Sequence, residues 1–368
     1  MKPSMKTFSS NVSISASISA SVLAILASAA AFAQGPEGTV YLILPNADVG
    51  RYTQFDEPNI RAEFAAQAPG VTLEVLNSGG KAQQMVADVD AALANGAKAI
   101  ILIAADPAQA GGPIAKAAAD GVPVITYAHD PGPGPVSYHI SVPFTDIGEA
   151  QGQWMAEHLP DASPVRVAYM LGDPNFKFYP DQMLGFDKHI NPLVESGKVE
   201  IVCRADAMGY IPANAQKNME QCLTQTDNGV DAAVVMNDGT GDGVIAALSA
   251  QGLEGKVILF GGYDATLEGV QRVLAGWQSA TMSPPYKGMA KAAVQLTLAA
   301  MAGEAPPEGL INGTWDNTVV EGGVPARLEP NVFITPDNIQ ETVIESGLYT
   351  KEQVCGGIAA TSAFCAGG

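Results

Sequence analysis

The chain has 368 residues, with 38 acidic side chains against 19 basic ones, a formal net charge of −19, and 47% hydrophobic residues. That balance excludes no fold, but it argues against nucleic acid or an anionic membrane surface as partner, because both need basic patches. The length is that of a chain that divides into two cores.

Lys2 and Lys6 precede an uncharged Ser/Ala/Leu/Ile run that reaches Ala31. Ala31-Phe32-Ala33 then gives the small-x-small pattern of a secretory cleavage site. Gln34-Gly35-Pro36 follows in place of a basic stop-transfer flank. Residues 1–33 are therefore read as a signal peptide cleaved after Ala33.

From Thr39 onward short apolar runs alternate with helix-length segments. "VYLIL", "VTLEVL", "AIILIA", "VPVITYA" and "VSYHISV" read as strands bounded by turn residues. The pattern restarts with "VRVAYML", "VEIVCRA", "AAVVMN", "KVILFGGY" and "SATMS", with helices near 181–195, 212–226, 240–252 and 266–275. Strand–helix alternation implies parallel βαβ units, so the expected fold is α/β, with two doubly wound parallel-sheet lobes.

After Pro284-Pro285 come a long helical stretch, a polar Gly/Asn loop and "RLEPNVFITPDNIQETVIESG". This surplus is placed by crossings near Val142, Ser283 and Glu329, which make three hinges. The expected division is 34–141 with 284–328 for the N-terminal lobe, 142–283 with 329–352 for the C-terminal lobe, and a tail at 353–368. The four cysteines fall into two local pairs, Cys203 with Cys222 and Cys355 with Cys365, which an oxidising compartment lets close. The second bridge would pin the tail.

In open parallel sheets, ligands sit outside the carboxyl ends of the strands. The polar and aromatic residues at those ends are Asn46, Arg51 and Tyr52, then His129 and Asp130, Lys177 and Phe178, Tyr210, Asn237 and Asp264. Amides, charges and aromatic faces suit a small polyhydroxylated ligand, whose hydroxyls both donate and accept. Arg51→Ala and Asp264→Ala are expected to weaken binding tenfold or more, about 1.4 kcal/mol, with little loss of fold.

Gly239-Thr240-Gly241-Asp242-Gly243 lacks the last glycine of a dinucleotide fingerprint and has no P-loop lysine. It reads as a tight strand-to-helix turn that points Asn237 at the ligand. No GxSxG elbow and no helical His pair occurs, so no catalytic residue, cofactor or metal is expected.

"NDGTGDGVIAALSAQGLEGKV", "YDATLEGVQRVLAG", "NPLVESGKV", "GYIPANAQKNMEQCL" and "NIQETVIESGLY" resemble the periplasmic sugar-binding proteins of bacterial ABC importers, in the xylose-binding branch. The resemblance covers nearly the whole mature chain. It implies a type I periplasmic binding protein fold and a monomeric periplasmic receptor that delivers a monosaccharide or polyol to an ABC permease. Two alternatives stay open: presentation of the closed form to a chemoreceptor or sensor kinase, and a sugar acid or aromatic as ligand. The family's sugar-binding arginine and its aromatic neighbour fall on Arg51 and Tyr52, its second-lobe polar pair on Asn237 and Asp264, and its indole platform on Tyr210. Departures from the family occur at Ala128-His129-Asp130, where an Asp-Arg pair stands, at Pro284, where a lysine stands, and at Lys177-Phe178, which replace an Asn-rich loop. They remove several of the hydrogen bonds that the resemblance implies for xylose.

Overall fold

The computed structural model describes Met1 and residues 36–367. The segment read as a signal peptide, with its cleavage point, lies outside the described residues apart from Met1. In the first lobe β1 (Gly38–Leu44), β2 (Val71–Asn77), β3 (Ala99–Leu102), β4 (Val124–Tyr127) and β5 (Tyr138–Ser141) run parallel in the order β2-β1-β3-β4-β5. In the second, β6 (Val165–Leu171), β7 (Val199–Asp206), β8 (Ala232–Val235) and β9 (Ile258–Gly261) run parallel in the order β7-β6-β8-β9. The two orders are the same winding repeated.

Every residue of "AIIL", "VITY" and "AAVV" is buried, as expected of parallel strands covered on both faces. Alternate side chains serve opposite layers. Leu42 and Ile101 share one face of the first sheet with Ile60 and Phe64 of α1 (Glu57–Gln67) and with Met289, Ala293 and Leu296, whereas Ile43 and Ile100 meet Met85 and Val89 of α2 (Ala82–Ala94) and Ile114 of α3 (Pro107–Ala119) on the other. The second sheet is sandwiched in the same way, with Met170 and Val235 against Met219 and Val244 on one face and Val167 and Tyr169 against Met155 and Phe186 on the other.

The chain changes lobe three times. After Ser141 it enters α4 (Phe144–Glu157), which packs against α5 (Phe178–Glu195) on the second sheet. From β10 (Thr281–Ser283) it returns through α9 (Tyr286–Ala302), which covers the first sheet. β12 (Val324–Leu328) extends that sheet beside β5, and beyond Glu329 the chain forms β13 (Val332–Ile334), which pairs with β10.

Three expectations need correction. "SATMS" does not join the second sheet; its Thr281–Ser283 segment pairs antiparallel with β13 in a two-stranded ribbon, and only Gln278 bridges to Leu259. The polar loop after α9 hides a short antiparallel strand, β11 (Gly313–Trp315), at the sheet edge. The glycines after Asn237 do not make a turn, because α7 (Asp238–Ala250) starts at once and they lie inside it. A Cβ on Gly243 would overlap the carbonyl oxygen of Pro212, so this glycine lets α7 approach α6 (Pro212–Gln225).

The same device joins α4 to α5. A Cβ on Gly148 would overlap the Gln182 carbonyl, one on Gly152 would press on the Phe186 backbone, and one on Gly185 would overlap the Thr145 carbonyl. Both cysteine pairs are bonded, Cys203–Cys222 with Cα atoms 5.9 Å apart and Cys355–Cys365 with Cα atoms 5.4 Å apart. The tail packs Val354 and Phe364 with Val270 and Val273 of α8 (Leu267–Ala275).

Candidate functional site

The strands of both sheets end at one cavity of about 380 Å³. Asn46, Arg51 and Tyr52 follow β1, Ala128 and His129 follow β4, and Asp173, Tyr210, Asn237 and Asp264 follow β6, β7, β8 and β9. This is the crevice at which the strand order reverses in each lobe.

The floor is polar and belongs to both lobes. After Arg51 the backbone makes a π-helical turn, Tyr52–Asp56, whose i,i+5 spacing brings Asp56 back to its own arginine. Arg51 Nε donates to Asp56 Oδ2 at 3.0 Å, and its Nη1 donates to Asp264 Oδ1 of the other lobe at 3.2 Å. Asn237 Nδ2 donates to Asp264 Oδ2 at 3.3 Å, and the Tyr127 hydroxyl donates to Asp56 at 2.8 Å. Burial opposes the charge on Arg51, yet Asp56, helped by Asp264, holds the guanidinium well above its ordinary value. Burial raises the Asp264 carboxyl above its usual range, against the pull of Arg51 and Asn237.

Asn237 also caps its helix. Its side-chain oxygen accepts from Thr240 N at 2.9 Å while Thr240 Oγ1 accepts from Asn237 N at 3.3 Å, a reciprocal box. The cap fixes the amide so that its nitrogen faces Asp264.

His129 Nδ1 lies 2.6 Å from the Ala104 carbonyl oxygen, and its Nε2 lies 2.7 Å from the Tyr52 hydroxyl. A carbonyl can only accept, so Nδ1 carries the proton and Nε2 accepts from Tyr52. Burial lowers this imidazole to about 4 and keeps it neutral.

Three non-glycine lining residues have left-handed backbone: Ala128 at φ 62°, Tyr210 at φ 56° and Asp264 at φ 88°. Such conformations cost on the order of 1–3 kcal/mol each and persist where their surroundings over-determine them. Here the Tyr286 hydroxyl donates to the Asp264 carbonyl at 2.8 Å, and Ser141 Oγ donates to that of Ala128 at 3.2 Å. The Tyr210 ring lies where a Cβ on Gly172 would be.

An aromatic wall lines the same cavity. Phe144 opens α4 and Phe178 opens α5, and their rings stack at 5.1 Å. Phe176 stacks on Phe178 at 5.1 Å, Tyr210 stands 5.6 Å from Phe178, and His129 reaches across from the first lobe to Phe176 at 5.0 Å.

The structure thus brings Asn46, Arg51, Tyr52, His129, Phe178, Tyr210, Asn237 and Asp264 to one cavity, but not Asp130 or Lys177. Asp130 turns away because its Oδ1 accepts from Gly132 N at 2.8 Å and its Oδ2 from Trp315 Nε1 at 3.2 Å. Lys177 reaches the same tryptophan, with Nζ 4.9 Å from the ring centroid and 3.3 Å from Asp181. Both therefore flank a contact at the edge of the first sheet.

Sequence reasoning missed Lys81, Phe144 and Gln182, which also line the cavity. Phe144 stands two residues beyond the first crossing. Gln182 lies four residues after Phe178, on the same helix face. Among the described residues, no cluster of three His, Cys, Asp or Glu is placed to hold a metal ion.

Residues 40–305 match the model of the periplasmic binding protein domain family. The D-xylose-binding periplasmic protein of Escherichia coli (strain K12) is 29% identical over 291 residues, which cover 78% of this chain and 85% of that protein. Among solved structures, an ABC transporter solute-binding protein from Clostridium phytofermentans with bound β-D-glucose is 25% identical, with a TM-score of 0.76 over 86% of this chain and all of the other. A Caulobacter myo-inositol-binding protein bound to myo-inositol shares the fold at 21% identity, with a TM-score of 0.70 over 84% of this chain and 97% of its own. Two parallel-sheet lobes, three crossings and a cleft at the strand ends are the type I arrangement of this family, and the chain belongs to the periplasmic binding proteins, related to the xylose-binding receptors of ABC importers.

Proposed function

We propose that the chain is a periplasmic receptor that captures a monosaccharide or polyol between its lobes and delivers it to the permease of an ABC importer. The observation that carries this reading is the single network formed by Arg51 of the first lobe with Asp264 and Asn237 of the second. A ligand bonded to that network touches both lobes at once, so it binds the closed form better than the open one and shifts the population toward it. Hydrogen bonds to charged groups contribute about 1.5 to 3 kcal/mol each. A few of them bring affinity to about micromolar, roughly −8 kcal/mol.

The named ligands of the relatives support the class, since xylose, glucose and myo-inositol are all small polyhydroxylated molecules. The reading includes export with cleavage after Ala33, lobe limits at the three crossings, and ligand contacts from the eight candidate residues that line the cavity.

The test is a thermal-shift screen of the mature protein against pentoses, hexoses, deoxysugars, polyols and sugar acids, with calorimetry on each hit. A stabilising neutral sugar or polyol that binds one to one supports the reading. Silence from all of these, with aromatic compounds stabilising instead, overturns it. Co-purification of the closed form with its permease, set against a sensor ectodomain, tests the partner.

A further inference from the structure

Resting on the reading of this cavity as a sugar site, we propose that its ligand is a sugar with one apolar edge: a deoxysugar, or a glycoside carrying a small alkyl or aromatic group. A fully hydroxylated monosaccharide is the poorer fit. Many polar atoms of the cavity already have partners within the protein.

His129 uses both ring nitrogens, on Ala104 and Tyr52, and Tyr52 thereby spends its only proton. Asp173 accepts from Asn175 N at 2.9 Å and from Gly209 N at 2.8 Å. The Tyr263 hydroxyl donates to Asn331 at 2.8 Å, and Asn237 is held by its cap and by Asp264. A guanidinium has five N–H groups; on Arg51, contacts to Asp56 and Asp264 engage three of them. The donors and acceptors left for a ligand are the two remaining N–H groups of Arg51, spare lone pairs on Asp264 and Asp173, the second N–H of Asn237, the Asn46 amide, Lys81 Nζ and the side-chain oxygen of Gln182.

The aromatic wall is made of the stacked rings of Phe144, Phe176 and Phe178, and Met236 also lines the cavity. A hydroxyl turned toward these rings loses its water and finds no partner, which costs free energy. A methyl or aryl group in the same place buries apolar surface against an aromatic face, which is favourable. One edge of the ligand is thus selected for polarity and the other against it.

The test is calorimetry on the exported chain with matched pairs: D-galactose against 6-deoxy-D-galactose, D-glucose against 6-deoxy-D-glucose, and D-xylose against phenyl β-D-xyloside. The apolar member of at least one pair should bind tenfold or more tightly, about 1.4 kcal/mol, with a more negative heat-capacity change. Phe178→Asn should bring that ratio close to one, by weakening the apolar member of the pair more than the hydroxylated one. If Phe178→Asn does not melt cooperatively, Phe144→Asn decides in its place. Hydroxylated members that bind as tightly as their partners, or a preference that survives both substitutions, overturn the inference and leave the receptor reading standing. No binding by any sugar of either class overturns both.

Discussion

Arg51 and Asp264 are 213 positions apart in the chain and 3.2 Å apart in the structure, and neither is more than 8% exposed. Their surroundings differ in a way that separates the two substitutions. Asp56, fully buried, faces Arg51 at 3.0 Å, so Arg51→Ala leaves that carboxylate without its counter-ion, at a cost of about 3–5 kcal/mol. Asp264→Ala leaves Arg51 paired with Asp56. The expectation that both variants keep their fold is therefore revised. Each should lose tenfold or more in ligand affinity, but only Arg51→Ala should show a large drop in its urea midpoint. Equal midpoints for the two variants would contradict the role given to Asp56.

The pH dependence of stability combines opposing contributions. Burial lowers His129 to about 4 and His139 to about 3. Below the ordinary value of 6.5 the unfolded chain takes up protons that the folded one refuses. Their contribution is therefore complete above pH 6.5 and is lost as pH falls toward the folded values, by about 2 kcal/mol per histidine at pH 5. Asp238 runs the other way: burial raises it to about 7, against Arg272, Gln278 and Thr281. Its contribution is complete below 3.8 and is lost as pH rises through 7. Between pH 7 and 5, Asp238 offsets part of the histidine loss. Asp238→Asn should steepen the fall in urea midpoint over that interval, and His139→Gln should flatten it. Identical slopes in all three proteins would rule the assignment out.

The disulfides should separate on reduction. Cys203–Cys222 closes a span of 19 residues and Cys222 is 2% exposed, whereas Cys355–Cys365 closes 10 residues near the chain end and both of its cysteines are partly exposed. Mild reductant should open the tail pair first, with little effect on ligand affinity. Opening the inner pair should lower stability by about 2 to 4 kcal/mol. Alkylation followed by mass spectrometry, alongside melting curves, would read the order; the inner pair opening first would be the contrary result.

Gly148→Ala should destabilise by about 1–3 kcal/mol through overpacking, because its methyl would overlap the Gln182 carbonyl. Ligand affinity should fall with it, since Phe144 and Phe178 are mounted on the two helices pushed apart. Gly112→Ala, in an open position of helix Pro107–Ala119, is the control and should be neutral or stabilising. Equal effects at the two positions would remove the packing argument.

The parts of the fold legible in the sequence were those with a continuous apolar signal. "AIIL" and "VITY" could be nothing but covered strands once helices flanked them. β11 was not legible because "GTW" is short and only partly buried. The glycines after Asn237 read as a turn because a glycine-rich start to a helix looks like one unless the neighbouring helix is known. In the site, the strand-end rule located eight of the ten candidates at the cavity but could not aim Asp130 or Lys177, whose directions are set by Trp315 from a distant part of the chain. Nor did any pattern announce that Asp56 would return to Arg51, since that depends on a π-helical turn.

The glycine seam between α4 and α5 gives the aromatic wall a fixed mount. Phe144 and Phe178 stand at the helix starts, outside the seam. Phe178 adjoins none of the three crossings, whereas Phe144 stands two residues beyond the first. On the proposed reading of the cavity, a substitution at 176 or 178 changes the surface that meets the ligand at positions remote in sequence from every crossing.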